Sequence, residues 1–221
     1  MNKYFKIGGL LLLIALPIFL ILMLHAFGKN KYQVTRYFPL STKDTVINNE
    51  SVVDTVFHKI PNFSLTDQDS TKFDLKKIEG DIFVADFFFS TCGGICPKMT
   101  SQLTRVQERF KDVPHLKILS ITVDPENDQP KVLKSYANRY KAKSGFWYFL
   151  TGESENIYKI AKVDFMLNAM DSNVASQEDF VHSDKLVLVD KNRVIRGYYD
   201  GTNPEEVDRL MVEIDILLLE K

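Results

Sequence analysis

Ile82-Phe83-Val84-Ala85-Asp86-Phe87-Phe88-Phe89-Ser90-Thr91-Cys92-Gly93-Gly94-Ile95-Cys96-Pro97 is an apolar run that leads into the chain's only two cysteines. The part from Ile82 to Phe89, bounded by Gly80-Asp81 and Ser90-Thr91, reads as a buried strand. Beyond the cysteines, Met99, Leu103, Val106 and Phe110 fall on one helical stripe. The thiol pair therefore sits at a strand-to-helix turn, where it can close a disulfide, exchange one with a partner, or chelate a soft metal. With Cys96 in the first helical turn and Cys92 just ahead of it, both sulfurs can face one point. The positive end of the helix lowers thiol pKa there, and Pro97 costs nothing in an opening turn. A disulfide across so short a loop removes little unfolded-state entropy. Gly93 and Gly94 favour access, so a functional pair is expected over a structural staple.

Outward from this turn, strands and helices alternate from about residue 56. Phe63 to Thr66 and Thr71 to Phe73 flank a polar turn and suggest a small hairpin. Leu116 to Val123 reads as a second buried strand, followed by a helix carrying Val132, Leu133, Tyr136, Ala137 and Tyr140 on one side. A third strand is expected at Phe146 to Leu150 and a short helix at Glu155 to Lys162. Lys185 to Val189 and Val194 to Tyr199 flank a turn at Asp190-Lys191-Asn192-Arg193. The last helix opens at Asn203-Pro204-Glu205-Glu206, with an N-cap and a first-turn proline. Such alternation ending in a hairpin and a helix points to an α/β domain of thioredoxin-like fold.

The first thirty residues are a separate object. After Lys3 and Lys6 comes the apolar stretch Ile7 to Phe27. That is long enough for a membrane-spanning helix, which needs about 20 apolar residues, and longer than the core of a cleaved signal peptide. No cysteine lies near the end of the run, so a lipoprotein anchor is not expected. Three segments are expected: a membrane anchor at 1–28, a polar tether at 29–55, and one domain at 56–221. Lys29, Lys31 and Arg36 balance Lys3 and Lys6, so flanking charge leaves the orientation open. A short amino-terminal tail before a large domain places that domain on the extracytoplasmic, periplasmic side.

Composition narrows the chemistry. Lys and Arg number 28 against 29 Asp and Glu, a net charge of -1 that argues against a nucleic-acid partner. Two cysteines are too few for a disulfide-stapled scaffold or a four-thiolate zinc site. A soft metal would need a third ligand. His58 precedes the first hairpin and His115 lies at the amino-terminal side of the second strand, the wrong edge for the cysteine turn. His182, in Asp179-Phe180-Val181-His182-Ser183-Asp184, enters the strand that begins the final hairpin, and that entry faces the cysteine turn in this fold. It is the histidine expected to complete a site with Cys92 and Cys96.

Four segments in order carry a family likeness: Phe63-Ser64-Leu65-Thr66-Asp67-Gln68-Asp69; Cys92-x-x-x-Cys96-Pro97; Val123-Asp124-Pro125-Glu126-x-Asp128-x-Pro130; and Val181-His182-Ser183 before a strand. With the apolar amino terminus, the chain resembles the SCO/SenC family over nearly its whole length. The resemblance implies a peroxiredoxin/SCO-type thioredoxin-like domain that binds copper through Cys92, Cys96 and His182. It further implies a metallochaperone role in assembling the binuclear copper site of respiratory haem-copper oxidases, with the copper-site subunit as partner. Two thiolates and an imidazole suit Cu(I), and added ligands could accommodate Cu(II).

The chain departs from the family pattern at Gly93 and Ile95, where many members carry Pro and Asp. Asp86 is a further departure: an acid inside an apolar strand, six residues before Cys92, as thioredoxins also have. A buried carboxyl there is a candidate proton shuttle for thiol–disulfide exchange. That keeps open a second function, a disulfide reductase acting on the cysteines of a copper-accepting subunit. A peroxidase would place Thr three residues before its reactive Cys, where this chain has Phe89. The Asp124–Asp128 segment reads as a strand exit and helix cap.

Overall fold

The computed structural model describes residues 3–27, 33–47, 50–167 and 183–220. They divide into two compact units, Met1–Gln33 and Val34–Lys221. The first holds helix α1, Lys3–Phe27. Its described side chains, from Leu12 to Leu24, are exposed. They span roughly 20 Å of axis at 1.5 Å per residue, against about 30 Å of bilayer hydrocarbon. Among the described residues no helix is long and apolar enough to cross a membrane. The transmembrane helix expected over 1–28 therefore rests on the sequence.

The second unit is built on a seven-stranded sheet. Its strands are β3 (Ser64–Asp67), β4 (Lys72–Asp74), β5 (Ile82–Phe88), β6 (Leu116–Thr122), β7 (Trp147–Thr151), β8 (Lys185–Val189) and β9 (Ile195–Asp200). They lie in the order β4-β3-β7-β6-β5-β8-β9. β5, β6 and β7 run parallel, and β8 pairs antiparallel with the other side of β5. Flanked on both sides and covered on both faces, β5 has every residue buried, which is why its sequence is a continuous apolar run.

Two apolar layers sandwich the sheet. Val84, Phe88, Leu116, Ile118, Trp147 and Phe149 meet helices α2 (Ile95–Phe110), α3 (Pro130–Arg139) and α5 (Pro204–Leu219). The alternate residues Phe83, Ala85, Phe87, Leu119 and Ile121 meet Ile60, Phe63 and Phe73, together with Ile157 of α4 (Ser154–Lys159) and Phe165. α4 continues into a π-helical turn at Ile160–Asp164, close to the end expected for the short helix. Asn203 caps α5 by accepting from the Glu205 N–H at 2.9 Å.

The structure departs from the sequence reading at the tether. Pro39–Ile47 (β1) and Glu50–Phe57 (β2) pair as an antiparallel hairpin, with Thr45 opposite Val52 and Ile47 opposite Glu50. β-branched residues dominate both arms and favour this pairing. Upstream of it Val34 is buried, and the Tyr37 N–H donates to the Ile195 carbonyl at 3.0 Å. The domain thus begins near residue 34, about twenty residues earlier than the composition indicates.

Candidate dithiol site

The parallel strands β5 and β6 end on the same edge, and the cysteine loop leaves from there. Val123 N–H donates to the Phe88 carbonyl at 2.8 Å, closing the last rung between the two strands. The chain then turns, with the Cys92 N–H donating to the Phe89 carbonyl at 3.2 Å, and α2 opens at Ile95. Cys96 falls in the first turn of α2 and is buried, whereas Cys92 is half-buried; both are free thiols. A Cβ at Gly93 or Gly94 would meet nothing within 4 Å. These glycines therefore leave the approach to Cys92 open and relieve no packing clash.

The two thiols lie within hydrogen-bonding reach of each other but in different fields. Burial pushes the Cys92 thiol up, but the N–H groups of Cys96 and Gly94, the Cys96 thiol and the Ile95 N–H together hold it below the usual cysteine value. This is the effect of an opening helical turn on a nearby thiolate. Cys96 is pushed up to about 12, chiefly by burial, with Cys92 and Asp86 adding to the rise. One accessible, acidified thiol thus faces one buried, protonated thiol.

Asp86 sits beneath them in the middle of β5, 1% exposed. Its Oδ1 accepts from Ser120 Oγ at 2.5 Å, and Ser120 Oγ in turn accepts from Trp147 Nε1 at 2.8 Å. Its Oδ2 has no hydrogen-bond partner among the described residues. Desolvation raises the carboxyl to about 7 against the pull of the Ser120 hydrogen bond. A carboxyl that changes charge near neutrality, close to a thiol, can hold or release a proton at Oδ2.

A shallow cavity of about 470 Å³ opens at Cys92, lined also by Phe89, Thr91, Gly93, Gly94, Ile95 and Asp184. A larger cleft of about 690 Å³, bordered by Ser64, Lys72, Pro125, Gln129 and Glu153, holds neither thiol nor histidine.

Two of the domain's histidines, His115 and His58, lie among the described residues. His115 is exposed at the amino-terminal edge of β6, 3.0 Å from Asp81. His58 Nε2 lies 2.8 Å from the Asp164 carbonyl, away from the cavity. His182 lies outside the described residues, which resume at Ser183, next to Asp184 on the cavity wall. No cluster of three metal-ligating side chains occurs among the described residues.

One participant is absent from the sequence reading. Asp128, read as part of a cap, is 0% exposed. It accepts from the Ser90 N–H at 2.9 Å and from Thr122 Oγ1 at 2.6 Å, both through Oδ2, and from Ser90 Oγ through Oδ1. Nothing in a single sequence separates it from Asp124, which stays half-buried and accepts from Asn127.

A cysteine pair on the β5–α2 turn of this sheet, one thiol open and one buried beside an internal acid, defines the class of thioredoxin-like dithiol proteins. The SCO1/SenC family model matches residues 54–214, and the chain belongs to that family. The SCO1 protein homolog of Bacillus subtilis is 29% identical over 167 residues, covering 75% of this chain and 86% of the relative. A solved structure described as a disulfide switch in BsSco, a member of the Sco family of cytochrome c oxidase assembly proteins, superposes with a TM-score of 0.63. It is 28% identical and spans 74% of this chain and 95% of its own. Arabidopsis thaliana ScoI with copper bound, at 22% identity, a TM-score of 0.55 and coverage of 71% and 98%, shares the fold.

Proposed function

We propose that this protein binds one copper ion through Cys92, Cys96 and His182 and delivers it to, or matures, the copper site of a respiratory haem-copper oxidase subunit. Copper is here the cargo, taken up as Cu(I) by two thiolates and an imidazole, with Cu(II) accommodated by added ligands. The observation that carries this reading is that Asp184 and Cys92 line one cavity. His182 stands two residues before Asp184 in the sequence, which supports its assignment as the third ligand. Family membership and the copper-bound Sco relative support the same cargo. The half-buried position of Cys92 suits a site that passes its metal on, because a partner thiol can reach it. We place the helix Lys3–Phe27 in a membrane, with the domain on the extracytoplasmic side.

Asp86 favours a second activity at the same thiols, reduction of a disulfide in the copper-accepting subunit. Cys92 attacks as thiolate, and Cys96 then attacks the mixed disulfide, releasing the partner reduced. For that second step Cys96 must lose its proton, and Asp86 is the acceptor within the core.

Both readings are tested on the full chain in detergent. Reconstitution with Cu(I) should give one copper per chain in the wild type and a loss of at least about tenfold in affinity in His182→Ala, since losing even a ligand's hydrogen-bond partner costs about that much. Equal affinity in the two proteins would remove His182 from the site. Asp86→Asn should leave copper stoichiometry unchanged and slow reduction of a partner disulfide by about tenfold or more. Unchanged exchange would remove the proton-transfer role.

A further inference from the structure

We infer that Asp128 is a positioning residue for the dithiol site, a carboxylate whose hydrogen bonds to Ser90 and Thr122 set where Cys92 stands relative to Cys96. The inference rests on the dithiol site proposed above and adds the group that holds its loop in place.

The cysteine loop has little of its own to keep it still. Its centre is Gly93-Gly94, with open space where a Cβ would lie, and Gly94 caps α2 without any side-chain hydrogen bond. The far end is buried outright, where Cys96 and Met99 lie in the core, whereas Phe89, Cys92 and Ile95 pack against that core only partly buried. The near end leaves the sheet at Phe88, and Ser90 is the second residue past it.

At that exit Asp128 meets two donors of one residue, the Ser90 N–H at 2.9 Å and the Ser90 hydroxyl. Its third donor is Thr122 Oγ1 at 2.6 Å, from the last residue of the neighbouring strand. Thr122 Oγ1 also accepts from the Asp124 N–H at 3.0 Å, and the Asp128 N–H donates to the Asp124 carbonyl at 2.9 Å. The 124–128 loop is thereby closed on itself before it reaches across to Ser90. A fully buried carboxylate is tolerated only when its lone pairs are met, and three donors meet it here. Charge-assisted bonds of this kind are the strong ones, and they are directional. Ser90 lies two residues from Cys92, so its placement propagates directly to the sulfur.

The consequence is chemical. Two thiols close a disulfide, or share a metal, in proportion to how long they spend at the right separation. Freeing Ser90 lets the loop start wander and lowers the effective concentration of Cys92 against Cys96. Loss of a charge-assisted hydrogen bond at such a position is worth about a factor of ten in the equilibrium it governs.

The test is a glutathione redox titration of the full chain in detergent, with free thiols counted by alkylation and mass spectrometry. In that equilibrium oxidised glutathione is reduced to two thiols as the Cys92–Cys96 disulfide forms. Ser90→Ala, which deletes one donor, and Asp128→Asn, which removes the charge and turns one of the two acceptor oxygens into a donor, should each shift the equilibrium about tenfold toward the dithiol. Ser90→Thr keeps the hydroxyl and should stay within about twofold of wild type. A purely structural role would lower the melting temperature and leave the titration, run well below it, in place. Wild-type behaviour of folded Ser90→Ala and Asp128→Asn would therefore overturn the inference; should Asp128→Asn fail to fold, Ser90→Ala decides alone. Cu(I) competition against a chromogenic chelator, run on the same proteins, should show affinities falling in parallel. If the wild type holds no copper, the cargo reading fails while the glutathione titration still decides the role of Asp128.

Discussion

The edge of the sheet that carries the thiols and the clasp around Arg196 handle buried charge in opposite ways. Arg196, on β9, is 3% exposed and fully answered. Its guanidinium donates to Asp190 at 3.0 Å, to both Glu220 oxygens at 2.8 and 2.9 Å, and to the carbonyls of Val34 and Thr35 at 2.6 and 3.1 Å. It joins the first and last described segments of the domain to the final hairpin. Asp86, just as deeply buried, accepts from Ser120 through one oxygen, and its other oxygen has no donor among the described residues. A complete set of partners makes a charge structural. An incomplete set leaves it able to change state, which is what proton transfer requires.

Breaking the complete set should cost the most. Arg196→Ala strands Asp190 Oδ2 and the Val34 carbonyl in the core and is expected to destabilise the domain by about 3–5 kcal/mol, read from the denaturant midpoint at unchanged slope. Arg196→Lys should recover only part of this, since an ammonium cannot fork to both carboxylates. A loss under about 1 kcal/mol would mean that the clasp does not hold the domain together.

The incomplete set predicts a pH dependence of definite sign. The folded state holds the Asp86 proton up to about 7, against 3.8 ordinarily, so the native protein binds more protons than the unfolded chain between these values. Stability therefore falls as pH rises through that window, by on the order of 4 kcal/mol in the limit. Asp86→Asn should be more stable than wild type at pH 8 by about 2 kcal/mol or more, with the difference shrinking toward pH 4. Parallel stability curves for the two proteins would contradict this. The clasp runs the other way: Arg196 holds Glu220 below the usual carboxylate range, and that contribution fades as pH falls.

The smallest effect belongs to charges in contact with water. Arg105 and Asp208 pair at 2.6 Å between α2 and α5, but their side chains are 44% and 57% exposed. Arg105→Ala should cost under about 1 kcal/mol, less in high salt, as thermal unfolding would show. A larger loss would put part of the helix packing on this pair.

Much of this molecule is legible in its sequence, and the reasons are local. β5 announces itself because a strand flanked on both sides has no polar face to show. α5 is marked by Asn203 and Pro204, whose capping chemistry acts within one turn. The polar turn of the β3–β4 hairpin closes on Asp67, whose Oδ1 accepts from the N–H groups of Asp69 and Thr71. The β1–β2 hairpin was there to be read in Thr45-Val46-Ile47 and Ser51-Val52-Val53, but polar neighbours hide the pattern. Asp128 and Arg196 are less accessible still. Each looks like an ordinary surface charge until residues 38 and 24 positions away arrive beside it.

By itself, the sequence determined the α/β succession, the strand-to-helix placement of Cys92 and Cys96, and the acid inside β5, because each depends on neighbours a few residues apart. Folding settled which thiol is open, that one oxygen of Asp86 lacks a donor among the described residues, and which carboxylate reaches Ser90. Those properties come from desolvation and from hydrogen bonds between distant segments, and neither exists until the chain has folded.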